Sequence, residues 1–314
     1  MLPISKNEIV TAHRCIGSKI HRTPILTSKY LDGLTNGQLF FKCENFQKTG
    51  SFKIRGATNA IMNLGKGALA KGVATHSSGN HAQALAFAAL NMQTKATVVM
   101  PSSSSAIKKA AVREYGADII ECEPNQASRE STLETFIEKT GATSIHPFNN
   151  YDVMTGQATC AKEILEEMSD LDYIVAPVGG GGLLSGTIMS AQYFSTSTKV
   201  VAAEPKGAGD AYQSWMHGEI VPIDHPNTIA DGLLTTVGDK TFPVIREFVD
   251  EILTVSDEEI IQSMKIIWER MKIIIEPSSA VTLAAVLANP IKFSNKKVAL
   301  ILSGGNVDLK KLPF

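Results

Sequence analysis

The sequence predicts an α/β protein of two lobes, each built on a mainly parallel, twisted sheet flanked by helices. Three observations carry that expectation. From residue 72 onward, short β-branched strands alternate with helices, a pattern that requires crossover connections and therefore parallel pairing. Glycine- and serine-rich turns follow several of those strands directly, where open α/β sheets collect ligands. The chain of 314 residues is 44% hydrophobic, enough for a large core divided between two domains.

Residues 5–20 place Ile9, Ala12, Ile16 and Ile20 at helical spacing behind a Ser5 cap with Glu8 three residues on, and Thr23-Pro24 ends the run. Residues 38–43 (QLFFKC) read as a strand that delivers the chain to a lysine-bearing segment. A helix is expected over 56–64, ending in Gly65-Lys66-Gly67. Strand 72–76 turns through Ser77-Ser78-Gly79-Asn80-His81 into an Ala-rich helix that reaches about Leu90. Strand 96–100 is stopped by Pro101 and the serine run 102–105. Helix 106–115, strand 118–121 and helix 128–139 follow. Asn149-Asn150-Tyr151 marks a return of the chain, so 72–149 is expected to form a small mobile domain, and 1–71 with 150–314 a large one. Helix 155–168, strand 173–178, four glycines, helix 183–194 and strand 199–203 come next. The chain closes with helix 257–271, a turn at Glu276-Pro277-Ser278, helix 280–287 and strand 297–302.

Composition excludes several classes of function. Lys and Arg number 30 against 31 Asp and Glu, so no basic face for nucleic acid is expected. The most apolar late run, 271–287, is interrupted by Lys272, Glu276 and Pro277 and reads as a buried turn and helix, not a membrane span. The first residues lack a signal-peptide pattern. Cys15, Cys43, Cys122 and Cys160 are too scattered for a disulfide frame or zinc site and fit reduced thiols, so a cytoplasmic protein is expected.

Four segments and the lysine carry the chemistry. Lys53 follows Ser51-Phe52 between Gly50 and Gly56. A phenyl wall and small neighbours suit a desolvated, nucleophilic amine, although the segment alone also fits a solvated lysine at a helix start. Gly179, Gly180, Gly181 and Gly182 between strand and helix leave N–H groups free to converge on an anion, and match neither the GxGxxG nor the P-loop fingerprint. Ser78 and Asn80 fit helix caps as well as a proton-exchanging hydroxyl and a ligand-holding amide, and His81 has no partner histidine for a zinc site. Glu204 and Asp210 on one tight loop fit a hard divalent cation or a solvated pair. Ser303-Gly304-Gly305-Asn306 could close a small-molecule site with a neutral hydroxyl, or be an ordinary turn.

Taken together, SFKIRGA, SSGNHAQA, the GGGG loop, AEPKGAGDA, IEPSSAV and LSGGNVD stand in the order seen in fold-type II pyridoxal-phosphate enzymes. The likeness covers nearly the whole chain. It most resembles the eukaryotic serine racemase group, with the serine/threonine dehydratases close behind. The resemblance implies that Lys53 carries the cofactor as a Schiff base, that Phe52 packs on its ring, and that Asn80 bonds the ring oxygen. Gly179, Gly180, Gly181 and Gly182 would hold the phosphate and Ser303 would face the pyridine nitrogen, which a serine leaves largely unprotonated. It further implies a two-base racemase, with Lys53 and Ser78 on opposite faces of the substrate, that also eliminates water from serine. Threonine dehydratases typically carry Ala where Ser78 stands, whereas related hydroxyaspartate dehydratases can carry the serine. The alternative is therefore a dehydratase of serine, threonine or 3-hydroxyaspartate. A non-catalytic binding protein is the third reading, and the intact Lys53 argues against it.

Ser77, Ser78, Asn80, His81 and Asn150 would cradle the substrate carboxylate. Glu204, the carbonyl of Ala208 and Asp210 match the group's divalent-metal site, for Mg²⁺, Mn²⁺ or Ca²⁺. Lys48, Thr49, Lys108, Lys272 and Asn306 match parts of an ATP site found in animal racemases, and the serine run 102–105 departs from that pattern. By the same resemblance the protein would be a homodimer whose small domain closes over substrate, without the regulatory domain of biosynthetic threonine dehydratases.

Overall fold

The computed structural model describes residues 2–77, 79–104 and 106–314, the side chain of Ile107 excepted. Among the described residues ten strands form two sheets: β1 (Ile25–Thr27), β2 (Gln38–Cys43), β3 (Val73–His76), β4 (Ala96–Pro101), β5 (Asp118–Cys122), β6 (Thr143–Ser144), β7 (Tyr173–Pro177), β8 (Lys199–Pro205), β9 (Glu251–Val255) and β10 (Lys297–Leu302). The larger sheet has the order β1-β2-β10-β7-β8-β9 and the smaller β5-β4-β3-β6. Every pairing is parallel except β1 with β2. The protein is thus an α/β fold with mainly parallel sheets flanked by helices, as the strand–helix alternation requires.

Strand periodicity divides the larger sheet's core into two layers. Ile174, Ala176, Val200, Ala202, Ala299 and Ile301 face one cluster, which the helices Tyr151–Glu167 and Gly182–Phe194 complete. Val175, Val201, Ala203, Val298 and Leu300 face the other, against Asp257–Met271 and Pro277–Ala288. Being buried on both faces, these strands read as continuous apolar runs.

The strands at 38–43 and 297–302 and the helix at 257–271 fall where the sequence places them. Ser5 caps the first helix, Lys6–Ile16, in a full capping box with Glu8. Several helices start earlier than their apolar periodicity suggests, among them Pro277–Ala288, Gln126–Thr140 and two that matter for the site. The lysine helix runs Lys53–Met62 because Phe52 already has helical backbone angles, and Tyr151–Glu167 starts where Asn150 Oδ1 accepts from Val153 N at 3.0 Å. No element is expected from the sequence between 211 and 256. There the structure has the remainder of a helix Asp210–His217, a helix Phe242–Phe248 and strand β9, all short and half-buried.

Glycines bring three helices into backbone contact. A Cβ on Gly156 would lie 2.5 Å from the Arg55 carbonyl oxygen, and one on Gly186 would lie 2.6 Å from Ala158 N. Helix Tyr151–Glu167 therefore packs directly against both Lys53–Met62 and Gly182–Phe194, which only missing side chains allow. Among the described residues, no helix is long and apolar enough to cross a membrane.

Candidate active site

Lys53 lies just beyond the C-terminal ends of the neighbouring strands β2 and β10. Two short turns follow β2, with Thr49 (φ 61°) and Gly50 (φ 71°) in left-handed backbone. Ser51 then bridges Gly304, and Phe52 N donates to Ser303 O at 3.0 Å. The chain after β10 thus fixes the start of the lysine helix. Lys53 Nζ donates to Pro147 O at 3.1 Å and lies 5.1 Å from the centre of the Phe52 ring, which packs against the core. Burial pushes this amine down to about 8, against the opposing pull of Glu276. It can thus be neutral, and nucleophilic, close to neutral pH.

The four glycines occupy the turn between β7 and helix Gly182–Phe194, and all are buried. Among the described residues none of their N–H groups has a partner, the state of a cradle built for an anion at a helix start. A Cβ on Gly180 would fall 2.3 Å from the Phe148 ring, and one on Gly181 (φ 87°) 2.7 Å from Ile245. Thr241 Oγ1 donates to Gly180 O at 2.8 Å and clamps the loop from behind. Ser303, buried after β10, has its hydroxyl 3.2 Å from that of Ser279 and presents no charge. A phosphate cradle, a depressed lysine and a neutral hydroxyl fit pyridoxal phosphate.

The turn after β3 contributes Ser77, Asn80 and His81. Ser78 lies outside the described residues, as does Ser105 of the serine run. Asn80 Nδ2 donates to Glu276 Oε1 at 2.8 Å, and Asn80 Oδ1 accepts from Asn306 Nδ2 at 2.8 Å. His81 is buried with Nε2 3.1 Å from Ile145 O. Burial, aided by the Lys53 charge, pushes it down to about 3, so it is neutral. Asn150 is occupied as the helix cap described above, and its neighbour Phe148 is what reaches the glycine loop.

Glu276 is a participant that the sequence reading passes over. It is buried, and desolvation followed by the charge of Asp231 raises it to about 8. Its Oε2 also accepts from Asn306 N at 3.1 Å. A Glu-Pro pair opening a helix ordinarily reads as a solvated end, and only burial distinguishes it. Thr241, Phe148 and His146 are likewise missed. His146 Nδ1 accepts from both Phe148 N (3.3 Å) and Asn149 N (2.9 Å), which shapes the turn that meets Lys53 and the glycines. No motif marks any of them in the sequence.

Glu204 and Asp210 come together at the end of β8. Glu204 accepts from Ala211 N (2.7 Å) and Tyr212 N (2.9 Å), and Asp210 Oδ2 from Val237 N (3.0 Å). Asp210 Oδ1 is buried with no partner among the described residues, and Ala208 is buried beside them. Burial, with the Asp210 charge, raises Glu204 to about 8, and burial raises Asp210 to about 7. No cluster of three or more His, Cys, Asp or Glu side chains suited to a metal occurs among the described residues. Of the residues matched to a nucleotide, Thr49 O accepts from Asn306 Nδ2 at 2.8 Å. Lys108 pairs with Asp231 at 2.8 Å, Lys48 is half-buried and Lys272 is exposed.

A family model described as "Pyridoxal-phosphate dependent enzyme" matches residues 16–304. The chain is 50% identical to a β-hydroxyaspartate dehydratase of Paracoccus denitrificans, over 98% of this chain and 98% of that protein. It is 49% identical to a serine racemase of Dictyostelium discoideum, over 99% and 98%. The solved structure of maize serine racemase superposes with a TM-score of 0.95 at 43% identity, over 97% of this chain and 94% of that one. The chain belongs to the pyridoxal-phosphate-dependent enzyme family.

Proposed function

We propose that the protein interconverts L- and D-serine and also eliminates water from serine to give pyruvate and ammonia. The observation that carries this reading is the Lys53 amine, lowered to about 8 by burial, in one site with a glycine loop whose N–H groups have no partner among the described residues. Bound pyridoxal phosphate would withdraw electrons from the substrate Cα and so acidify its proton. Lys53 Nζ takes that proton from one face, and Ser78 returns a proton from the other, which inverts the centre. When the β-hydroxyl leaves as water instead, one base suffices. Phe52, Asn80, Gly179, Gly180, Gly181, Gly182 and Ser303 hold the cofactor, and Ser77, Ser78, Asn80 and His81 receive the substrate carboxylate.

One observation favours a second reading, a dehydratase acting on 3-hydroxyaspartate. Arg129, on helix Gln126–Thr140, has a buried Nε with no partner among the described residues. It lies near enough for its charge to depress His76, beside Ser77. A side-chain carboxylate would answer that cation, and one relative is a β-hydroxyaspartate dehydratase.

Glu204, Asp210 and the Ala208 carbonyl are proposed to hold Mg²⁺, Mn²⁺ or Ca²⁺, the unpartnered Asp210 oxygen being the supporting observation. An ATP activator would use Lys48, Thr49, Lys108, Lys272 and Asn306. We further assign residues 72–149 to a small domain that closes over substrate, in a cytoplasmic homodimer. The test incubates cofactor-loaded protein with L-serine and Mg²⁺, following D-serine by chiral chromatography and pyruvate in the same tube. D-serine with pyruvate supports the racemase, and its loss in Ser78→Ala with pyruvate retained supports the two-base assignment. Pyruvate without D-serine selects the dehydratase, and Arg129→Gln should then impair 3-hydroxyaspartate far more than serine.

A further inference from the structure

Arg55 stands two residues after Lys53, on the same first helical turn, and its guanidinium is wholly buried. All its donors are placed. Nε and Nη2 reach the two oxygens of Glu44 at 2.7 and 2.8 Å. Nη1 and Nη2 reach those of Glu163 at 2.7 and 2.8 Å, and Nη1 also reaches Thr159 Oγ1 at 3.2 Å. Lys42 Nζ, equally buried, donates to Glu163 Oε2 at 2.7 Å and to Thr23 O at 2.8 Å. Two cations and two anions thus balance inside the protein. Such clusters contribute little net stability over apolar packing, but two planar forks fix geometry tightly.

Glu163 and Thr159 lie on helix Tyr151–Glu167, the one that meets the lysine helix at Gly156 and the glycine-loop helix at Gly186. We propose that Arg55, held by Glu44 and Glu163, is a positioning residue: it locks the Lys53 turn onto helix Tyr151–Glu167 and so sets the separation between the amine and the phosphate cradle. The inference rests on the reading of Lys53 and the glycine loop given above.

The test compares binding of pyridoxal 5'-phosphate and 4'-deoxypyridoxine 5'-phosphate to cofactor-free protein by fluorescence titration. Both carry the ring and phosphate, but only the first has the aldehyde with which Lys53 Nζ condenses, releasing water. Misplacing the amine should cost Glu163→Gln about tenfold in affinity for the aldehyde and leave the analogue's affinity unchanged. Equal losses for both ligands, or no loss in a protein whose circular dichroism is native, would overturn the proposal. Should Glu163→Gln fail to fold, Thr159→Val is the milder change: it removes the contact from Arg55 Nη1, together with the bond that Thr159 Oγ1 donates to Gly156 O at 2.7 Å within its own helix. The aldehyde should then bind about two- to fivefold more weakly, the analogue unchanged, and an unaltered aldehyde affinity again overturns the idea. Failure of the underlying reading is separately visible: wild type would bind both ligands alike, and Lys53→Ala would match it.

Discussion

The carboxylates of Glu44 and Glu163 and those of Glu204 and Asp210 are almost equally closed to solvent, yet their surroundings treat them differently. Burial alone would raise Glu163, but His13 at 3.6 Å, hydrogen bonds from Arg55 and the charges of Arg55 and Lys42 hold it well below the usual carboxylate range. Among the described residues Glu204 and Asp210 have backbone N–H donors and no cationic hydrogen-bond or ion-pair partner, and both are raised. Glu276 belongs with the raised pair, at about 8, although Asn80 and Asn306 donate to it and the charge of Lys108 opposes the shift. The first set is complete as the chain folds. The second keeps a buried oxygen, Asp210 Oδ1, with no partner among the described residues, and that difference separates a finished scaffold from a pair proposed to hold a cation.

Breaking the complete set should have the largest effect. Glu163→Ala leaves Arg55 and Lys42 partly uncompensated and should cost about 3–5 kcal/mol of folding stability in urea. Glu204→Ala, without added divalent cation, should cost distinctly less, because it relieves Asp210. Equal costs would erase the distinction. Next comes the cation itself. Mg²⁺ at a hundredfold its Kd should stabilise the protein by about 2.7 kcal/mol, and Asp210→Asn should lose that response while Thr159→Val keeps it.

Acid gives a smaller signal. Glu163 titrates lower in the folded chain than in the unfolded one, so its contribution is present above the usual carboxylate value and is lost as pH falls through the folded one. Stability of Glu163→Gln should therefore fall less steeply than wild type below about pH 4.5. A parallel decline would show that the cluster does not hold this charge. The smallest shift concerns Lys53 and Glu276. Acetylation of Lys53 in cofactor-free protein, followed by mass spectrometry against pH, should reach half its maximum near 8. Glu276→Gln removes the opposing charge and should move that midpoint lower, while an upward shift would reverse the assigned role.

The legible parts of the fold are those where one residue type has one use. Alternating β-branched strands and helices announce parallel sheets, and four consecutive glycines after β7 have few uses besides a close backbone approach. Elements between 211 and 256 escape because β9 and the helix Phe242–Phe248 are short and only partly buried, so their periodicity is weak. The site divides in the same way. Lys53 and the glycines stand out within motifs. Glu276 lies inside the IEPSSAV motif, but its part in the site comes from burial and from contacts with the distant Asn80 and Asn306, while no motif marks His146. Arg55 sits inside a motif, yet nothing local shows that it meets Glu163.

The pairing of β2 with β10 has a consequence for how the site comes into being. Leu39 pairs with Val298 and Cys43 with Leu302, so the strand that leads to the lysine waits for a strand from far along the chain. Ser51 and Phe52 find their partners, Gly304 and Ser303, only after that strand docks. Such distant parallel contacts form slowly, because a long loop must close before any contact rewards it. On the ribosome, the glycine loop and its helix can therefore take shape well before the amine is in place. Capture of the cofactor becomes a late event of maturation, and a chain truncated before β10 would expose β2 as an unpaired edge open to aggregation.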